Sequence, residues 1–189
     1  MNVDEPHDVP RIAPLPASER DERTAALLGA LGVHPDGEEM TLFSTLARHP
    51  KLLRRWSQFG GTLLFGGALP DRDREVLILR TAANCGADYE WGHHVVLGAA
   101  AGLDDEQIAS LARPAEKMAD GPDAVLVRAA DQLHADQVIG DETWAELAQR
   151  YDDRQLIEVP MVVGQYHLVA FTLRSLRIQP EPGVVGMPR

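Results

Sequence analysis

The sequence predicts an all-helical protein, and three observations carry that expectation. Ala and Leu are abundant while aromatic residues make up only 5% of the chain, a balance that favours helices over sheets. Capping residues and Gly or Pro stops recur at helix-length spacing. No run shows apolar/polar alternation bounded by turn signals.

The elements follow in order. Residues 1–17 form an extended arm, because MNVDEPHDVPRIAPLP holds four prolines and little periodicity. Such an arm either packs on a neighbouring subunit or stays disordered. Ser18 and Asp21 cap a first helix through Ala25–Leu31 that stops near Gly32. Helical stretches follow over Thr41–Arg48 and from Pro50, a good first-turn residue, towards Phe65, with Gly60–Gly61 a weak point. Asp71 caps the next helix, which runs through Glu75, Leu77, Leu79 and Ala83 to Gly86. Another begins at Asp88, carries Trp91, Val95 and Ala99, and stops at Gly102. The short Gly86–Asp88 connection makes these two helices antiparallel partners. Asp104 with Gln107 has the form of a capping box. Gly121–Pro122 opens a segment reaching Val138, and Asp141 and Asp152 are placed to cap two more helices. Pro160 should kink or interrupt the last of them, which ends near Arg177. The helical domain therefore spans 18–177, and residues 178–189 form an irregular tail.

Composition bounds the function. A chain of 189 residues suits one domain with an added arm. Its 29 acids against 18 bases give −11, which repels phosphate backbones, so no nucleic-acid partner is expected. The lone Cys85 cannot form an internal disulfide, as suits a reducing cytosol. The first residues lack the basic and apolar regions of a signal peptide. Val159–Leu173, broken by Pro160, Gln165 and His167, reads as a buried helix and not as a bilayer span. A cytoplasmic protein with no membrane partner is the expectation.

The densest polar cluster in an apolar setting is Asn84-Cys85-Gly86-Ala87-Asp88-Tyr89-Glu90-Trp91-Gly92-His93-His94. On a helix, Glu90 and His94 are four apart and share a face. Glu75 sits on the preceding helix, where periodicity suggests contact with His94 without establishing it. A carboxylate and an imidazole converging in a half-buried cleft can move protons near neutral pH. An exposed Glu–His pair of the same spacing is common and contributes only a few tenths of a kcal/mol.

The stretch Arg74–Leu103, REVLILRTAANCGADYEWGHHVVLGAAAGL, resembles the signature of the carboxymuconolactone decarboxylase family. That family shares its helical fold with the alkylhydroperoxidase D proteins. The match rests on Glu75 with its LxLR continuation, the Tyr89-Glu90-Trp91-x-x-His94 block, and the Gly102-Leu103 stop before an acidic restart. It extends over residues 40 to 177, with the first 40 an addition. The peroxidase branch carries a Cys-x-x-Cys pair, a histidine four residues after the second cysteine and a glutamate twelve residues before the first. Laid on this chain, these fall on Ala87, Glu90, His94 and Glu75. Both thiols are gone, and dithiol cycling needs an attacking and a resolving sulfur. The decarboxylase branch keeps Glu-Trp-x-x-His, as here. The resemblance implies a cofactor-free enzyme that removes carbon dioxide from a carboxylated unsaturated lactone, or a related proton transfer. His94 is then the acid/base, Glu75 its orienting partner and Glu90 a second proton carrier. It also implies a homo-oligomer, for which Trp56, Phe59, Leu63 and Leu64 offer an apolar face at helical spacing.

Candidate substrate contacts are Arg80, Tyr166, His93 and Trp91. Arg80 suits a substrate carboxylate, although an ion pair is the commoner use of arginine. His93 and His94 point about 100° apart, so one of them faces the cleft. Tyr166 and His167 interrupt the last apolar helix; either reaches the pocket or is a satisfied core residue. Cys85 reads as a small buried residue. Glu90-x-x-His93 and Asp131-x-x-His134 have the form of di-iron ligands, with Glu75 and Glu158 as the further carboxylates such a site requires. The second motif has Asp for Glu and the resemblance explains Glu90 without metal, so no metal and no cofactor is expected. Three functions stand: an acid/base enzyme on a small organic acid or lactone, a peroxide-linked oxidoreductase, and a non-catalytic oligomeric binding protein.

Overall fold

The structure, a computed structural model, describes residues 9–31, 39–113, 121 and 123–188. Among them are α-helices α1 (Glu22–Ala30), α2 (Thr41–Leu46), α3 (Pro50–Phe65), α4 (Asp71–Cys85), α5 (Asp88–Ala100), α6 (Asp105–Leu111), α7 (Ala124–Asp136), α8 (Asp141–Leu147) and α9 (Asp153–Leu176), and no β-strand. The expected stop at Gly32, the first eight residues of the arm, Pro122 and Arg189 lie outside the described residues. The chain divides into two compact units, 1–60 with 172–184 and 61–171 with 185–189.

The first unit packs Leu28, Ala47 and Leu53 against Leu15, Leu27, Phe43 and Trp56. Asp21 caps α1 by accepting from the Thr24 amide at 2.7 Å. The arm from residue 9 lies on its own chain. Arg20 grips the Leu15 carbonyl, Arg48 the Ala13 carbonyl, and the Arg11 amide bonds the Leu176 carbonyl. The tail is equally anchored, because buried Glu181 accepts from the Thr41 amide at the start of α2. Trp56 tilts onto Phe43 with ring centroids 6.2 Å apart, so the residue expected to head an interface is part of this core.

The second unit is organised around α4, whose residues 74–82 are buried without interruption. A helix apolar on nearly every side belongs at the centre of a core, and α4 packs on α5, α6 and α7. Leu77, Ile78 and Leu79 meet full burial there, as do Leu126, Leu147, Val159 and Val162 from α7, α8 and α9. Gly86 ends α4 at φ 61°, a left-handed conformation that costs glycine nothing. The Ala87 amide then reaches the Ala82 carbonyl and the Gly86 amide the Ala83 carbonyl, a Schellman turn that folds α5 back along α4. Asp71, Asp88 and Asp141 are first-turn residues and not side-chain caps; Pro70, Ala87 and Gly140 occupy the cap positions. Asp104 with Gln107 forms the expected capping box, and Asp152 accepts from the Gln155 amide at 3.0 Å.

Pro160 does not interrupt α9, which continues through it for 24 residues. Val159, Val162 and Val163 are all but fully buried around the proline, so packing overrides the lost backbone hydrogen bond. By length and composition α9 would pass as a bilayer span, yet half of its most apolar window is buried inside the protein.

Candidate active site

Glu75 is fully buried in the first third of α4. Its Oε2 meets Nδ1 of His94 on α5 at 2.7 Å. Its Oε1 accepts from Nε and Nη2 of Arg74 at 3.3 Å each. Arg74 turns its remaining Nη1 outward to Asp71 at 2.7 Å. A carboxylate only accepts, so the Nδ1 proton lies between Glu75 and His94 and leaves the His94 Nε2 lone pair for other work.

This approach requires α5 to lie close against α4, and Gly98 permits it. Gly98 stands one turn beyond His94, and a β-carbon there would lie 3.2 Å from Leu79 Cδ1 and from Leu103 Cδ1, and 3.8 Å from the Glu75 β-carbon. Glu90 stands one turn before His94 on the same face and is 2% exposed. Neither of its oxygens has a hydrogen-bond partner among the described residues. Burial pushes the Glu90 carboxyl well above its ordinary range, so it is held as a neutral acid able to donate one proton.

From α9, Tyr166 sets its ring edge-on to His94, with centroids 4.9 Å apart. Burial raises the Tyr166 phenol well above its ordinary range, and the Glu75 carboxylate adds to the shift. The phenol therefore stays protonated. The arrangement is a buried imidazole with an orienting carboxylate behind it, a neutral acid one turn away and an aromatic wall.

Other anticipated residues lie elsewhere in the packing. Arg80 places Nε and Nη2 on Asp131 at 2.6 and 2.8 Å, and Nη1 on the carbonyls of Leu111 and Arg113. It ties α4 to α7 and has little left for a substrate carboxylate. His93 stacks on Tyr89, with centroids 4.6 Å apart, while Trp91 is 2% exposed. The di-iron set is not assembled. Glu158 accepts from the Ala68 and Leu69 amides, Asp131 is taken by Arg80 and Asn84, and Glu90 makes no hydrogen bond among the described residues. A described cavity of about 300 Å³ is bounded by Val125, Arg128, Glu146 and Arg150 and is lined by none of the residues around His94.

Sequence reasoning missed Arg74 as a participant. Its signal was a cation immediately before the acid in the REVLILR stretch, but adjacent helical residues do not normally meet. Here the Arg74 side chain folds along its own helix to do so.

The central buried helix, its antiparallel partner and the buried Glu75–His94 pair sit in an all-helical fold of the alkylhydroperoxidase D-like type. Residues 50–132 match the sequence profile of the Carboxymuconolactone decarboxylase family. The match covers less than half of the chain, and the solved structures that resemble it share its all-helical fold. The crystal structure of an alkylhydroperoxidase AhpD core, an uncharacterized peroxidase-related protein from Ralstonia eutropha JMP134, is similar at TM-score 0.79 and 15% identity, over 93% of this chain and 94% of that one. A peroxidase-related protein from Silicibacter sp. TM1040 is similar at TM-score 0.73 and 16% identity, over 97% and 95%. The debrominase Bmp8 is similar at TM-score 0.69 and 13% identity, over 90% and 92%. No curated protein matches the chain in sequence.

Proposed function

We propose that the chain is a cytoplasmic, cofactor-independent acid/base enzyme that decarboxylates, or moves a proton on, a small organic acid or lactone. The observation that carries this reading is the 2.7 Å Glu75–His94 contact, with the neutral Glu90 acid one helical turn away. In this scheme the substrate's C–C bond to its carboxylate breaks, carbon dioxide leaves, and the bonding pair passes into a dienolate. Protonated His94 gives a proton from Nε2 to carbon, while the Glu90 acid holds the dienolate oxygen by a hydrogen bond. Glu75 supports the imidazolium before transfer and keeps the ring aimed. Solvent then returns a proton to His94. Each cycle consumes one substrate carboxylate and one proton.

A peroxide-linked reading has the names of the structural neighbours in its favour. Against it stand Ala87 and Glu90 at the two thiol positions and a single cysteine in the sequence. The test is to incubate the protein with carboxylated unsaturated lactones in deuterated water. Release of carbon dioxide with deuterium placed on carbon, abolished in His94→Gln, is the expected result. Peroxide reduction with a dithiol donor and no proton exchange on any such substrate would overturn the proposal.

A further inference from the structure

A second cluster of reactive side chains lies in the same unit and takes no part in the chemistry above. Cys85 at the end of α4, His134 near the end of α7 and His167 on α9 offer one sulfur and two ring nitrogens that all lie within 4.8 Å of one another. His134 Nδ1 and His167 Nε2 are 2.9 Å apart. The other nitrogen of His167, Nδ1, donates to the Val163 carbonyl at 2.8 Å. That bond fixes the tautomer, so the Nε2 lone pair is directed towards His134 and the sulfur. Backbone support of this kind is how proteins orient metal-binding imidazoles.

We propose that Cys85, His134 and His167 form a binding site for a borderline-soft divalent cation, with Zn²⁺ the best match. One thiolate and two imidazoles are a donor set that zinc accepts in tetrahedral sites whose fourth position is left to water. Zn–N bonds of about 2.0–2.1 Å at tetrahedral angles place two nitrogens roughly 3.3 Å apart. The two rings therefore need to separate by only a few tenths of an ångström. Binding replaces the His134–His167 hydrogen bond, moves the His134 proton to Nε2 and releases the Cys85 thiol proton to solvent. Cys85 is buried, His167 half-buried and His134 exposed, so the ion enters past His134. Once bound, it would pin the ends of α4 and α7 to the middle of α9.

The full chain is stripped with a chelator and titrated with Co²⁺ as a spectroscopic probe, then with Zn²⁺ in competition. The expected result is one Co²⁺ per chain, a thiolate-to-cobalt charge-transfer band, intense tetrahedral d–d bands, and loss of both on adding Zn²⁺. Cys85→Ser should remove the charge-transfer band. His134→Ala changes only an exposed side chain and should keep the fold, checked by circular dichroism. It should weaken Zn²⁺ by more than the ~10–100-fold that follows loss of an outer-shell partner. His94→Gln should bind Co²⁺ as the wild type does. Absence of a thiolate band, binding that survives His134→Ala unchanged, or binding lost in His94→Gln would each overturn the assignment.

Discussion

Glu75 and His94, nineteen residues apart in sequence, share a hydrogen bond of 2.7 Å inside the protein, with Arg74 on the carboxylate's other oxygen. If His94 carries the proton, His94→Gln should lower turnover by about 10²–10⁴-fold and leave the melting temperature nearly unchanged. Glu75→Gln should do nearly the same, because the amide cannot support an imidazolium. Glutamine is the right replacement, since it keeps an acceptor for Arg74 and avoids stranding a buried cation. A purely structural pair gives the opposite pattern: both variants melt earlier, and ligand binding is untouched.

Glu90 makes a prediction about pH. Its folded-state pKa is raised by burial, so the folded protein holds a proton that the unfolded chain gives up above the ordinary carboxyl range. The associated stability is fully present below the unfolded pKa, near 4.5, and is lost as pH rises through the folded value. Glu90→Gln removes the titration. In urea unfolding, the variant should therefore gain stability relative to wild type as pH rises above the ordinary carboxyl range, until the folded-state pKa is passed. A difference that stays constant as pH rises would show that Glu90 is not held neutral.

The parts of the site that were legible in the sequence are those written locally or in the family block. The α4–α5 turn announces itself through Gly86, and the helical spacing of Glu90 and His94 puts them on one face. Glu75 was placed by resemblance. Arg80 and Glu158 were not legible, because their partners lie 51 and 90 residues away and leave no periodic trace. Pro160 shows the converse: a sound local rule predicts a break, and the valines packed around it hold the helix together. The Cys85–His134–His167 cluster draws on three helices, so no spacing along the chain could reveal it.

Glu158 supports the start of α4 from a distance. Its two oxygens take the Ala68 and Leu69 amides at 2.7–2.9 Å, ahead of a helix whose cap residue, Pro70, offers no side-chain acceptor. Glu158→Ala leaves both donors without that partner and should cost about 2–4 kcal/mol in urea unfolding. Glu158→Gln retains one acceptor oxygen and should lose markedly less. Equal losses in the two variants would mean that packing, and not the hydrogen bonds, is what matters here.

Gly98 sets the separation of the two site helices. Gly98→Ala should gain about 1 kcal/mol of helix propensity but force the buried Leu79 and Leu103 side chains to move, at about 1–3 kcal/mol. We expect a small net destabilisation, on the order of 1 kcal/mol. The larger effect should fall on turnover, because a shift of α5 lengthens the Glu75–His94 contact. A variant with raised stability and full activity would show that the helix spacing tolerates the methyl group.

We propose, finally, that the protein works as a homo-oligomer, with α9 supplying the contact instead of the Trp56–Leu64 face. Trp56 and Leu63 are drawn into packing within the chain, leaving Phe59 exposed. On α9, Ile157, Met161, Leu168 and Phe171 are 64%, 43%, 48% and 61% exposed and recur at helical spacing along one side. Gly164 lies in the same row, and a β-carbon there would meet nothing within 4 Å. An apolar stripe of this length left in water favours association, and an identical stripe on a second copy is self-complementary about a two-fold axis. Light scattering should therefore give a mass that is a multiple of 20.7 kDa, and Met161→Glu should lower it towards that value while leaving the circular dichroism of the helices unchanged. Met161 is remote in sequence from Glu75 and His94, so the variant separates assembly from chemistry. A wild-type mass of 20.7 kDa across a broad concentration range would refute the assembly and leave the Glu75–His94 relay standing.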